Sequence, residues 1–412
     1  MTEVLHVDGS VTIVGASLAG LRCAETLRQH GFAGRISLVG EEAHGPYDRP
    51  PLSKQVLAGM WPVDRVVLAD DEKLAALGLD LHLGMRATSL DSESREVTLA
   101  DGSILRSDAV VVATGASLRR LPGTEGRDGI YGLRTLDDAV ALRDGLGSLD
   151  PASRVVVIGA GFIGQEVATA AVAMGHQVTI LEGLELPLSP IVGEPVAELL
   201  LELHRSSGVT LWTGVKVTGI EGPRDGANAG WVVIEGQEPI GADLIVVGIG
   251  VTPATGWLEG SGLELDDGVV TDEHLFAAPG IAAVGDVARF RWLGSGHDEL
   301  VRIEHWQMAV DHGVHAAKAL LLGHAAAPVF DAVPYFWSDQ WGKKIQVLGH
   351  PGALDTVEVV LPPDEEGRFL ALFHSGEFLT GVLAVSKPRQ LMGYRALLAR
   401  GATIDEALQV ER

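Results

Sequence analysis

The stretch "RVVVIGAGFIGQEVATAAVAMGHQVTILEG", residues 154–183, decides the fold of this chain. A β-branched run predicts a strand, an alanine-rich segment of helical period predicts a helix, and a second apolar run ends in an acid, Glu182. Between strand and helix stand three glycines at G-x-G-x-x-G spacing. Gly159 permits a tight turn, Gly161 lets a pyrophosphate approach the backbone, and Gly164 lets helix and strand pack closely. The helix opening at Phe162 and Ile163 turns unpaired amides toward the phosphates, and Glu182 is placed to accept hydrogen bonds from a ribose.

The pattern occurs twice. In "VTIVGASLAGLRCAETLRQHGFAGRISLVGEE", residues 11–42, Gly15 and Gly20 keep their places. Ala19 precedes the last glycine, Ser17 replaces the middle one, and Glu41 closes the unit. A serine there adds a small side chain able to donate to a pyrophosphate. Two such units predict an α/β protein with two Rossmann-like domains, and two dinucleotides in one chain point to electron transfer between cofactors.

Composition narrows the chemistry. The 412 residues are enough for two or three domains, and 52 glycines exceed the usual roughly 7% without any collagen-like period. A net charge of -24 repels nucleic acid and anionic membranes on average. The single cysteine, Cys23, excludes an intrachain disulfide, a CxxC pair, a thiolate zinc site and a self-ligated iron–sulfur cluster. No metal site is expected, and redox chemistry must use a bound cofactor. The start "MTEVLHVDGSVTIVG" does not read as a signal peptide, and Glu166 interrupts the most apolar region, so a cytoplasmic, non-membrane protein is expected. After Glu182 come Gly183, Leu184, Glu185 and Leu186, with no cation to meet a 2′-phosphate, which favours a dinucleotide whose ribose carries a free 2′-hydroxyl.

"AVVVATGASLRRLPG", residues 109–123, and "TDEHLFAAPGIAAVGDVARF", residues 271–290, resemble the FAD motifs of the flavoprotein disulfide-reductase superfamily, whose fold is glutathione-reductase-like. The resemblance implies non-covalent FAD in the first unit, held by Ala113, Thr114, Gly115, Arg119 and Gly285, with Asp286 on the ribityl chain. NADH then falls to the second unit, with Gly250 of "LIVVGIGVTPATG" beside it. "PYDRPPLSK", "GFIGQEVA", "RIEHWQMAVDHG" and "YFWSDQWGKKIQVLG" narrow the likeness. From about Val11 to the C-terminal domain the chain is similar to the NADH-dependent ferredoxin reductases of oxygenase systems.

That resemblance implies hydride transfer from NADH to FAD and single-electron delivery to a 2Fe-2S ferredoxin serving a haem monooxygenase or an aromatic-ring dioxygenase. It sets Lys54 near the reactive flavin nitrogen with Glu166 as its ion-pair partner, and Arg49 among the same loop's cofactor contacts. A helix starting near Glu304 would present amides to the flavin, with His305 and Trp306 at the ring. Trp337 either covers the flavin, connects it to a docked ferredoxin, or belongs to the core of the C-terminal sheet. Arg289, Arg291, Lys343, Lys344, Lys387 and Arg389 are the basic residues expected to meet an acidic ferredoxin. The alternatives are an NADH oxidase, a redox-sensing NADH-binding flavoprotein and a rubredoxin reductase. No cysteine stands in "EEAHGPYDRPPLSK", where single-cysteine oxidases carry theirs, and Cys23 reads as a packing residue.

The expected organisation is a split FAD-binding domain, 1–119 and 246–325, an NADH-binding domain, 120–245, and a C-terminal α+β domain, 326–412. In that last domain the period-2 runs predict an antiparallel sheet, and "QLMGYRALLARG" predicts one final helix. A monomer or a homodimer is compatible with all of this.

Overall fold

A computed structural model describes residues 4–205, 207–223, 228–292 and 299–410. The chain forms two compact units. The first comprises the chain up to Asp48, Val67–Ser117 and Thr252–Tyr335; the second comprises Arg49–Val66, Leu118–Val251 and the chain from Phe336 onward.

In the first unit a six-stranded sheet has the order Phe276–Ala278, Ile281–Ala283, Ala109–Val112, Ser10–Val14, Arg35–Gly40, Leu79–Leu83. All neighbours are parallel except the first pair. Strands buried on both faces explain the unbroken apolar runs. Val11, Ile13, Ala109 and Val111 pack with Cys23 and Leu27 of the helix Leu18–Gln29 and with Ala316 and Leu320 of the helix Trp306–Leu322. Val14, Val110 and Val112 point the other way, to Leu90, Leu99, Trp257 and Leu258. The two helices touch closely: a Cβ on Gly313 would lie 2.4 Å from the carbonyl oxygen of Ala19. Cys23 is fully buried, and burial pushes its thiol up to about 12.

In the second unit a five-stranded parallel sheet has the order Thr210–Trp212, Gln177–Leu181, Arg154–Ile158, Leu244–Val247, Ile130–Tyr131. Its fourth strand extends past residue 245, up to which sequence alone ran the NADH-binding domain. An antiparallel sheet follows the order Tyr335–Gln340, Lys343–Gly349, Phe378–Val385, Leu370–Ser375, Thr356–Leu361. Val192, Val196 and Leu200 of the segment Ser189–Arg205 close one face of it against Ile345, Val347 and Phe373.

The single final helix expected from "QLMGYRALLARG" is instead two short ones, Pro388–Met392 and Arg395–Ala399. The amides of Gly393 and Tyr394 bond three residues back, to Gln390 and Leu391, which tightens the turn and buries Tyr394 at 1% exposure. Among the described residues no helix is long and apolar enough to cross a membrane.

Candidate functional site

In the first unit the carboxyl ends of four adjacent parallel strands carry the motif residues. Gly15 and Ser17 follow Ser10–Val14, Glu41 follows Arg35–Gly40, Ala113 to Gly115 follow Ala109–Val112, and Gly285 and Asp286 follow Ile281–Ala283. This is where open α/β sheets bind ligands. Gly15 has φ 126°, and a Cβ there would lie 2.0 Å from the carbonyl oxygen of Ala113; one on Gly20 would lie 2.1 Å from that of Gly15. Backbone contact therefore requires both glycines. Ala113 donates to the Val14 carbonyl at 2.7 Å, and Thr114 Oγ1 donates to the Ala254 carbonyl at 3.0 Å. Gly115 is left-handed, with φ 68°. Glu41 is exposed, with Arg86 4.0 Å away.

The helix sequence placed near Glu304 begins at Trp306, with His305 as its extended N-cap. Trp306 Nε1 donates to Asp48 Oδ1 at 2.6 Å, while Glu304 pairs with Arg302, itself tied to Asp267. Neither this helix nor Leu18–Gln29, which begins beside Ala19, has a side-chain cap or an acid in its first turn. The same is true of Phe162–Ala173 in the second unit. By contrast Asp70, Thr135 and Thr403 cap helices elsewhere. Leu18–Gln29 and Phe162–Ala173, the two helices that follow glycine-rich turns, thus lack a side-chain cap, as the short helices Pro388–Met392 and Arg395–Ala399 also do, and an uncapped N-terminus suits a phosphate-bearing ligand.

The second unit repeats the arrangement. A Cβ on Gly159 would lie 2.3 Å from the Gly248 carbonyl oxygen, and one on Gly164 would lie 2.2 Å from that of Gly159. One on Gly161 would meet no protein atom within 4 Å. The outer glycines thus serve the protein's own packing, while the middle one borders open space, as a pyrophosphate requires. Glu182 accepts from the amides of Ala160 at 2.6 Å and Leu184 at 2.8 Å. Phe162 packs edge-on against Phe336, Ile163 is half exposed, and Gly250, with φ 93°, borders open space. Arg119 lies in this unit, its Nε donating to the Val251 carbonyl at 3.0 Å.

Lys54 and Glu166 form an ion pair at 2.8 Å, with side chains 11% and 2% exposed. Lys54 Nζ also donates to the Pro50 carbonyl at 3.1 Å, and Arg49 donates to the Arg134 carbonyl at 2.6 Å. A carboxylate this buried needs more than one donor. Ser53 Oγ donates to Glu166 Oε2; Ser338 Oγ and, at 3.3 Å, the Asp339 amide donate to Oε1. Gln340 in turn donates to Ser338 Oγ at 2.9 Å. Sequence reading missed Ser53, Ser338 and Gln340. The strand's period of 2 was the available signal, because it turns Ser338 away from Trp337. Trp337 is half-buried, with Lys344 Nζ 5.8 Å from its ring centre.

Several expected docking cations are already paired: Arg289 with Asp266, Lys344 with Asp339 at 3.5 Å, and Lys387 with Asp364 at 3.5 Å. Arg291 is half-buried, Arg389 is exposed, and among the described residues no ion pair engages Lys343 or Arg389.

Two glycine-rich strand–helix turns and a buried lysine–glutamate pair accord with a pyridine-nucleotide oxidoreductase. The chain belongs to the pyridine nucleotide-disulphide oxidoreductase family, whose model matches residues 9–313, and residues 335–411 match the reductase C-terminal domain. It is 35% identical to putidaredoxin reductase from Pseudomonas putida, over 93% of this chain and 90% of that one. It is 36% identical to rhodocoxin reductase from Rhodococcus erythropolis, over 95% and 89%. Its fold superposes with a TM-score of 0.89 on the reductase of a covalent putidaredoxin reductase–putidaredoxin complex, at 32% identity over 98% of this chain and 97% of that one. Proteins of this kind use FAD and NAD(P)H.

Proposed function

We propose that this chain is a cytoplasmic, FAD-containing NADH:ferredoxin reductase that feeds a 2Fe-2S ferredoxin serving an oxygenase. The observation that carries this reading is likeness to ferredoxin reductases along nearly the whole chain, C-terminal domain included. FAD is assigned to the unit of Gly15, NADH to the unit of Gly159, and carrier docking to the C-terminal domain. When bound, FAD supplies the exchange between a two-electron donor and a one-electron acceptor.

The chain's own residues bind, orient and stabilise charge. Open amides after Ser17 and Gly161 hold the pyrophosphates. Glu182 accepts from the NADH ribose, and the carboxylate of Glu185 beside it disfavours a 2′-phosphate. Lys54, held in place by Glu166 at 2.8 Å, is the cation assigned to the flavin, where a preorganised positive group stabilises reduction. Lys343 and Arg389 are the cations left for an acidic carrier. The oxidase reading lacks its thiol, because Cys23 is fully buried in the first-unit core.

The test is NADH-driven reduction of a purified 2Fe-2S ferredoxin, followed optically, with oxygen uptake recorded with and without the carrier. Rapid carrier reduction with slow direct oxygen uptake is expected. Rapid uptake indifferent to the carrier would reassign the chain as an oxidase, and reduction of rubredoxin alone would change the partner.

A further inference from the structure

One buried histidine, His312, reaches the strand end that carries Gly285 and Asp286. The strand Ile281–Ala283 pairs with Ala109–Val112, and the Val284 amide still donates to the Val112 carbonyl at 2.9 Å. The next amide, that of Gly285, has left the ladder: φ is 71° and a short 3₁₀ turn, Gly285–Val287, begins. A buried N–H at such a point needs a partner. His312, six residues into the helix Trp306–Leu322, supplies it, its Nδ1 accepting from Gly285 at 3.1 Å.

An accepting Nδ1 carries no proton, so the ring is the neutral Nε2–H tautomer. Phe290 and Phe330 enclose it edge to face, each 4.6 Å from the ring centre. Burial, with His315 nearby, pushes its pKa down to about 3, so the acceptor persists at working pH. The helix cannot drift, since the adjoining Gly313 packs against the Ala19 carbonyl.

We propose that His312 is a positioning residue that sets the Gly285–Val287 turn, and with it the direction of Asp286, and so governs how tightly FAD is held. The proposal rests on the assignment of FAD to the first unit. His312 belongs to the helix whose first turn carries Trp306, so one hydrogen bond fixes a strand end and a helix that both serve the same cofactor.

The experiment compares wild-type holoprotein with H312N and H312L, measuring FAD dissociation by fluorescence and the visible flavin spectrum of each. Asparagine keeps an acceptor oxygen near the place of Nδ1, whereas leucine keeps only bulk. H312L is expected to weaken FAD binding by about ten- to a hundredfold and to alter the flavin spectrum. H312N should stay within about threefold of wild type, because it preserves the acceptor. Equal weakening by both substitutions, or none by H312L, overturns the proposal. Wild-type protein that binds no FAD rejects the cofactor assignment instead. Should H312L fail to fold, ¹⁵N-histidine spectra of the wild type decide. An unprotonated Nδ1 whose resonance shifts on FAD removal supports the role, and a protonated Nδ1 refutes it.

Discussion

The loops Gly15–Gly20 and Gly159–Gly164 obey one backbone rule and differ in everything that braces them. In both, the outer glycines are required because a Cβ would strike a carbonyl oxygen about 2 Å away. In the second, Ala160 is gripped from both sides: Glu182 accepts from its amide and Gln165 Nε2 donates to its carbonyl at 2.6 Å. In the first, Leu21 stands where Gln165 does and is apolar and fully buried, and Glu41 extends into solvent. Two residues past the last glycine the loops diverge again, with Arg22 paired to Glu25 in one and Glu166 paired to Lys54 in the other. A loop that must release and recapture its nucleotide at every turnover gains from being fixed while empty, whereas a loop around a resident cofactor can be shaped by it.

The comparison can be broken most forcefully at the first glycines. G15A should lose FAD, while G159A should keep FAD and lower the rate of NADH-driven flavin reduction by about a hundredfold, because the loop must shift by about an ångström. Flavin absorbance and stopped-flow reduction read the two effects; loss of FAD from G159A would deny the division of labour.

E166A tests the divergence past the last glycine. It leaves Lys54 buried without its partner, and a loss of about 3–5 kcal/mol in urea unfolding is expected. Smaller effects belong to the braces. E182A should raise KM for NADH about tenfold through a lost charge-assisted hydrogen bond. Q165L, which gives the second loop the first loop's residue, should raise it only about threefold through the lost neutral hydrogen bond. Neither should change FAD content.

Acid should act on both units. His204 in the second is pushed down to about 4 by burial, as His312 in the first is pushed to about 3. Folded values below the unfolded one mean that this stability is present above about pH 6.5 and is lost as pH falls through the folded values. Urea midpoints should therefore decline from pH 6.5 downward, and H204F should flatten the upper part of that decline. The smallest expected effect is at Cys23. Its raised pKa means stability fully present below the unfolded value near 9 and lost toward 12. Alkylation of the native protein should be negligible at pH 8, as measured by mass.

Much of this was legible in the sequence because local rules govern it. The glycine spacing, the terminal acids and the alternating strands of the last domain need only nearby residues. The bonds that complete the sites do not. Ser338 reaches Glu166 across 172 positions, and His312 reaches Gly285 across 27 by way of a helix that returns over the sheet. The period of 2 says only that Ser338 faces away from Trp337, and neither that serine nor a histidine in a helix names its partner until the fold is known. The break at Gly393 was also hidden, since the helical period continues through it while the burial of Tyr394 decides the turn.

The strand Tyr335–Gln340 presents Trp337 on one side and a hydroxyl for Glu166 on the other. Anyone redesigning carrier choice by grafting the C-terminal segment of a relative onto this chain would therefore exchange part of the lysine–glutamate assembly as well. A crossover placed after Gln340 keeps Ser338 and its support. One placed before Tyr335 yields a chimera whose carboxylate depends on whatever residue the donor carries at that position.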